Sequence, residues 1–377
     1  MKYCIRCLQT DTRPNIVFSS TGVCPACEYF AEHKQIQWEE RSQILMDLVE
    51  KYRNDSAQYD CIIGVSGGKD SFRQALWVRD YLKLRPLLVC LSYPPHQQSY
   101  VGADNLSALI DAGFDVITVC PAPITWKNLM RSAFIKYGNW CKATELALFA
   151  AVPQLAIDYK IPCILWGENP GLQLGDLGTL GKTGYDGNNL RNMNTLGGGG
   201  LEWMLNEGFK EKDLIPFRYP SPEEFIQHDI QIIYLGWFLG DWSLLNNGSV
   251  SSLAGFKMRH DSVVDTGDLY GVSSLDEPWV TLNQMIKYYK FGFGRASDYV
   301  NEMIRLGTIT REQGVTVCEK YDGACSDAYI ASFCEYIEIS VEYFWEKVLS
   351  VTNKDLFTLT GPADINRRFK VGNGIVE

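Results

Sequence analysis

The chain is poor in histidine, with four in 377 residues, and it has neither a long apolar run nor an excess of positive charge. Each shortage excludes something. No apolar stretch approaches the roughly 20 residues that cross a bilayer. The start Met1-Lys2-Tyr3-Cys4-Ile5-Arg6 lacks the apolar core of a secretory signal, so a cytoplasmic location without a membrane span is expected. A net charge of −10 argues against a long nucleic acid as main partner, because phosphate backbones demand a basic footprint. Lys2 stands where an N-terminal cysteine nucleophile would follow Met1, and no Gly-x-Cys-x-Gly elbow precedes a His-x-Glu. His33, His96, His228 and His260 have no cysteine placed for such chemistry, so ammonia released from glutamine would have to come from another polypeptide. Internal repeats and low-complexity tails are also missing.

Cysteine is plentiful, at 12 residues. Cys61, Cys90, Cys120 and Cys163 fall in or beside short apolar runs and read as small core residues. The pairs Cys4-Ile5-Arg6-Cys7 and Cys24-Pro25-Ala26-Cys27, separated by turn residues, can set four thiolates at the corners of a tetrahedron. Residues 1–30 are therefore expected to form a zinc ribbon with Cys4, Cys7, Cys24 and Cys27 on a structural Zn²⁺. A reducing compartment disfavours disulfides, and a thioredoxin-like motif needs only one such pair. Residues 31–58 should link ribbon to core through a helix over 37–52.

The string Ser66-Gly67-Gly68-Lys69-Asp70-Ser71 follows the apolar run 59–65 and precedes a helical pattern. A strand delivers the chain, two glycines let backbone approach an anion, and the next helix aims its free N–H groups there: this is a phosphate loop. Onwards, strands at 61–65, 86–91, 116–120 and 163–166 alternate with helices at 70–83, 102–112 and between 125 and 159. That alternation predicts an α/β fold with a doubly wound parallel sheet over residues 59–209, its ligands at the carboxyl ends of the strands. Ser92 and Gly167-Glu168-Asn169 lie at such ends. Residues 171–200 are rich in glycine, too mobile for a core element, and read as a lid or substrate loop suited to a polyhydroxylated ligand, or as a disordered insertion. Residues 210–377 should be mainly α, after a segment 230–238 that can return to the sheet edge as a strand.

Ser-Gly-Gly-x-Asp-Ser resembles the PP-loop of the N-type ATP pyrophosphatases (an adenine nucleotide alpha hydrolase-like fold), and differs in glycine spacing from the Walker loop. With the cysteine pairs, Leu165-Trp166-Gly167-Glu168-Asn169, Lys290-Phe291-Gly292-Phe293-Gly294-Arg295-Ala296, Ile309-Thr310-Arg311-Glu312 and Lys320-Tyr321-Asp322-Gly323, the chain resembles the N-acetyl sugar amidotransferase family. The resemblance implies an enzyme of surface-polysaccharide (LPS O-antigen) synthesis, related to those acting on diacetamido-mannuronic, pseudaminic and legionaminic sugars. Such enzymes convert an acetamido group of a UDP-sugar to an acetamidino group with Mg²⁺-ATP, taking ammonia from a HisH-like glutaminase through a HisF-like barrel. Ser66, Gly67, Gly68, Asp70 and Ser71, with Ser92 and Gly167, are then the nucleotide ligands, Lys69 being a further cation. Asp70, Lys69, Lys142 and Glu168 are the catalytic candidates, and Glu168, Asn169 and Arg295 the sugar-binding ones. Lys142 and Glu145 read equally as a solvated ion pair, and Arg295 as a helix-start residue. A tRNA-thiolating enzyme, with Cys141 or Cys163 as its sulfur carrier, is the alternative; a non-catalytic scaffold is a third.

Overall fold

Ile62 of the strand Cys61–Gly64 (β1) pairs with Leu87 on one side and Ile164 on the other, which puts β1 in the middle of a sheet. The computed structural model describes residues 1–33, 37–54, 56–181, 183–361 and 364–375. In chain order, helices Pro25–His33 (α1) and Trp38–Glu50 (α2) precede β1, which is followed by helix Lys69–Asp80 (α3), strand Pro86–Leu91 (β2) and helix Tyr100–Asp111 (α4). Strand Val116–Val119 (β3), helices Pro123–Tyr137 (α5) and Cys141–Asp158 (α6), and strand Cys163–Trp166 (β4) come next. A short helix Pro170–Gln173 (α7) and strand Gln231–Tyr234 (β5) complete the layer. The five strands are all parallel in the order β3-β2-β1-β4-β5. Parallel strands covered on both faces are apolar throughout, and β2, Pro-Leu-Leu-Val-Cys-Leu, is buried at every residue. α6 is buried at eleven of its 18 residues, as expected for a helix sunk against a sheet.

Chain direction across the sheet reverses between β1 and β4, the switch point at which such folds leave a ligand crevice. The expected strands and helices recur with ends shifted by up to three residues. Val65 leaves the sheet for the loop, and α3 starts one residue early, at Lys69. The segment 230–238 divides into β5 and a helical turn, Leu235–Phe238. β5 lies past residue 209, so the sheet takes its edge from the stretch assigned above to the C-terminal region. That region is mainly helical, but helix Asp327–Ile337 and two antiparallel strand pairs between 357 and 375 add to the expected elements.

One expectation is corrected. The glycine-rich segment packs as part of the core: Leu190 is fully buried, Leu196 nearly so, and Asp186 bridges Ile233 of β5. Its glycines answer to close packing; a Cβ at Gly187 would stand 2.5 Å from the Ile232 side chain. In the cysteine segment, a loop closed by the antiparallel Tyr3–Thr10 bridge carries the first pair and the second opens α1, and together they gather the four thiols as expected. α2 does link the parts. Its Arg41 is buried between Trp38 and Trp237, 3.9 Å from the latter ring, and donates to the Trp237 carbonyl and to His33. The C-terminal helices join the same core, with Phe344 stacked on Phe134 of α5 at 5.3 Å. No helix among the described residues is long and apolar enough to cross a membrane.

Candidate active site

The phosphate loop leaves β1 at the switch point. Gly67 has φ +76°, a left-handed conformation that side chains rarely adopt, and a Cβ there would meet the Gly102 carbonyl oxygen at 2.6 Å. Gly68 is the N-cap of α3 and supplies no side-chain cap, so the first-turn amides of a 12-residue helix open onto the loop. Ser71 donates to the Gly68 carbonyl at 3.1 Å and tightens the turn. Uncapped amides, a positive helix end and glycine backbone fit a polyphosphate.

Distant segments hold this loop still. Asn105 of α4 donates to the Gly67 carbonyl at 3.1 Å, and Ser251 donates to the Lys69 carbonyl at 2.7 Å. Asn247, fully buried, donates to Asp70 at 2.6 Å and accepts from Arg73 at 2.6 Å; Arg73 also pairs with Asp241 at 2.7 Å. Gly102 is in turn pressed on the 275–277 turn, where an added Cβ would lie 2.5 Å from the Asp276 Cα. None of these partners was legible as a site residue, because each meets the loop only through the tertiary fold. Lys69 is buried and its ammonium lies 2.8 Å from Asp70. Its charge is paired within the loop itself.

At the end of β4, a Cβ on Gly167 would meet the end of the Gln74 side chain of α3 at 2.6 Å and the Trp242 ring at 3.3 Å. Glu168 is half-buried, and burial pushes its carboxyl up to about 7; the Trp166 indole, donating at 3.1 Å, opposes the rise, while Asp70 and Glu145 add to it. A carboxyl poised near neutrality in a cleft can take up or release a proton. Asn169 is fully buried; its oxygen caps α7 at the Leu172 amide and its nitrogen donates to the Gly236 carbonyl at 3.4 Å. Its amide is engaged inside the fold. Ser92 sits half-buried past β2, its amide bonded to Val119.

Lys142 lies over the Tyr137 ring at 5.3 Å, beside the glycine-rich segment, while Glu145, one turn on, lines a separate cavity. Burial raises the Glu145 pKa, with Thr195 and Lys142 opposing. Arg295 begins the helix Arg295–Leu306 and donates to Ser274 at 2.9 Å. Burial lifts Asp276 to about 6 and its neighbour Glu277 to about 8. Asp276 is a site residue that sequence reading missed; its only signal is the acidic pair before Pro278.

The four N-terminal thiols all lie within 4.8 Å of one another and are buried. Backbone amides of Arg6, Gln9 and Cys24 point at sulfurs of Cys4, Cys7 and Cys4, at 3.4, 3.3 and 3.2 Å. Amides aimed at sulfur stabilise thiolates, and this donor set fits a tetrahedral metal.

Residues 265–369 match the family described as LPS biosynthesis protein WbpG-like, C-terminal domain. The quoted strings from Lys290 to Gly323 lie inside that span. No curated protein matches the chain. Among solved structures it is similar to the U34-tRNA thiolase NcsA from Methanococcus maripaludis with its 4Fe-4S cluster, at 16% identity and TM-score 0.26, over 67% of this chain and 80% of that one. It is also similar to an NH3-dependent NAD synthetase from Campylobacter jejuni, at 18% identity and TM-score 0.26, over 60% of this chain and 100% of that one. Scores at that level carry no argument; the fold rests on the strand order and the loop. Over residues 265–369, the chain carries the C-terminal domain of the WbpG-like LPS biosynthesis proteins.

Proposed function

We propose that the chain is an ATP-dependent, AMP- and pyrophosphate-forming sugar amidotransferase of bacterial surface-polysaccharide synthesis. The observation that carries this reading is the uncapped α3 start behind left-handed Gly67, at the switch point of the sheet and clamped by the region that runs into the WbpG-like domain. Ser66, Gly67, Gly68 and Ser71 would hold the phosphates of ATP. Mg²⁺ on those phosphates would supply charge neutralisation, with Asp70, fixed by Asn247, as its carboxylate. The sugar's acetamido oxygen attacks the α-phosphorus, pyrophosphate leaves, and ammonia then displaces AMP from the adenylated imidate to give the amidine. Glu168, its carboxyl raised towards neutrality, would accept a proton from the incoming nitrogen. Ammonia would come from a HisH-like glutaminase through a HisF-like barrel, and Zn²⁺ would occupy the four-thiolate site. Thiolation through a carrier cysteine is disfavoured, because Cys141 and Cys163 are buried and burial drives both thiols up, keeping them protonated.

Purified protein with ATP, Mg²⁺, ammonium and a UDP-diacetamido-uronic acid should release AMP and a sugar lighter by about one mass unit, as oxygen is replaced by NH. Formation of ADP in place of AMP would overturn the proposal.

A further inference from the structure

A cavity of about 300 Å³ lies between the N-terminal segment, α6, the glycine-rich segment and the helix Val280–Phe291. None of the phosphate-loop residues lines it. Asn139, Asn194, Asn283 and Gln284 bring four side-chain amides to its wall, together with the Phe149 and Phe293 rings. The side-chain oxygens of Asn139 and Gln284 are buried with no hydrogen-bond partner in the fold, an arrangement that is costly unless something in the cavity donates to them. Amide acceptors beside apolar rings suit hydroxyl and N-acyl donors on a flat-faced ring. The volume is at the small end for a ligand site, room for one sugar ring and not for a nucleotide.

Charges of both signs line it. Arg13 and Lys287 share a single carboxylate, Asp298, and Lys290 adds a third cation whose ammonium donates to the Tyr137 carbonyl at 3.0 Å. Glu145 and Asp176 also line the wall, Asp176 accepting from the Gly178 amide. Phe149 stacks at 5.3 Å on Trp166, whose indole donates to Glu168, so the cavity abuts the end of β4. We propose that this cavity binds the sugar ring of the substrate, with a carboxylate at the cations Arg13, Lys287 and Lys290 and the reacting acetamido group beside Glu145 and Phe149, towards Glu168. This deepens the function proposed above and rests on it.

The test is calorimetric titration of the full chain with UDP-N-acetylglucosamine and with its 6-carboxylate, UDP-N-acetylglucosaminuronic acid. The uronate should bind about tenfold more tightly, the scale of a charge-assisted hydrogen bond. Lys290→Met should narrow the uronate preference to about threefold or less, and Gln284→Leu should weaken both by about fivefold or more, with ATP affinity unchanged in each variant. Equal uronate binding by wild type and both folded variants overturns the proposal. In turnover, AMP formation at wild-type KM for the sugar in both variants would sink the cavity assignment and leave the amidotransferase reading standing. Uronate binding that follows the variants, with no AMP formed, would uphold the cavity and sink the reaction.

Discussion

Gly67 and Gly68 are adjacent in the loop and should fail in different ways when each is replaced by alanine. At Gly67, φ +76° places any side chain in the left-handed region, which costs about 1–2 kcal/mol. The new Cβ would also lie 2.6 Å from the Gly102 carbonyl oxygen, and Gly102 cannot retreat because Asp276 backs it. Overpacking of this kind adds about 1–3 kcal/mol. Gly67→Ala should therefore lose about 2–5 kcal/mol in all. In a chain of this size that lowers Tm by roughly 3–6 °C and disorders the loop. Gly68 has ordinary φ −91°, and its Cβ would meet only the Ser66 hydroxyl at 3.1 Å. Gly68→Ala should keep wild-type Tm within about 1 °C and lose ATP affinity by about tenfold or more, because the methyl stands where backbone must approach phosphate. Differential scanning calorimetry and ATP titration read the two effects separately. Wild-type Tm and wild-type ATP affinity in Gly67→Ala would refute the reasoning.

Asn247→Ala strips Asp70 and Arg73 of a shared buried partner at a cost of about 1–3 kcal/mol, so AMP release should slow about tenfold or more while sugar binding stays unchanged; unaltered turnover would count against the clamp. The Glu168 carboxyl rises from an ordinary 4.5 to about 7 on folding, so the native state holds more protons than the unfolded chain between those values. Stability should accordingly fall as pH rises from about 4.5 to 7, and Glu168→Gln should flatten that slope in urea melts; an unchanged slope would show that another group sets it. Metal analysis should find about one equivalent of zinc or iron on the four thiolates, and less than half an equivalent in chelator-free protein would argue against the site. Removing the metal should open residues 1–33 to trypsin at Arg6 and Arg13 before the sheet unfolds, followed by mass spectrometry.

Much of this architecture can be read along the chain. β1 to β4 are short apolar runs between turn signals, and the six-residue loop stands between a strand and a helix, a context few other strings share. Asn169 shows where local reading misleads: Asn before Pro170 is a helix-start pattern, and position at a strand end hid it. Helix Asp327–Ile337 carried its own signal, with Ile330, Phe333, Cys334 and Ile337 on one face. The clamps are another matter. Asn105, Asn247, Ser251 and Asp276 are ordinary polar residues whose roles exist only because segments from 38 to 182 residues apart meet at one turn. Arg13 likewise reaches a cavity that no motif marks.

The stack of Gly67 on Gly102 and of Gly102 on Asp276 has a consequence for how such a protein can change over generations. A chain ending at residue 209 would retain four strands and the whole loop, yet it would lack the edge strand, Asn247, Ser251 and the turn beneath Gly102. It should form an open-edged sheet that sticks to its own copies, not a minimal nucleotide hydrolase. The two halves are therefore poor candidates for exchange by recombination. A lineage that alters its C-terminal half to meet a new sugar has to do so without moving the backbone at residue 276, or it loses its grip on the nucleotide.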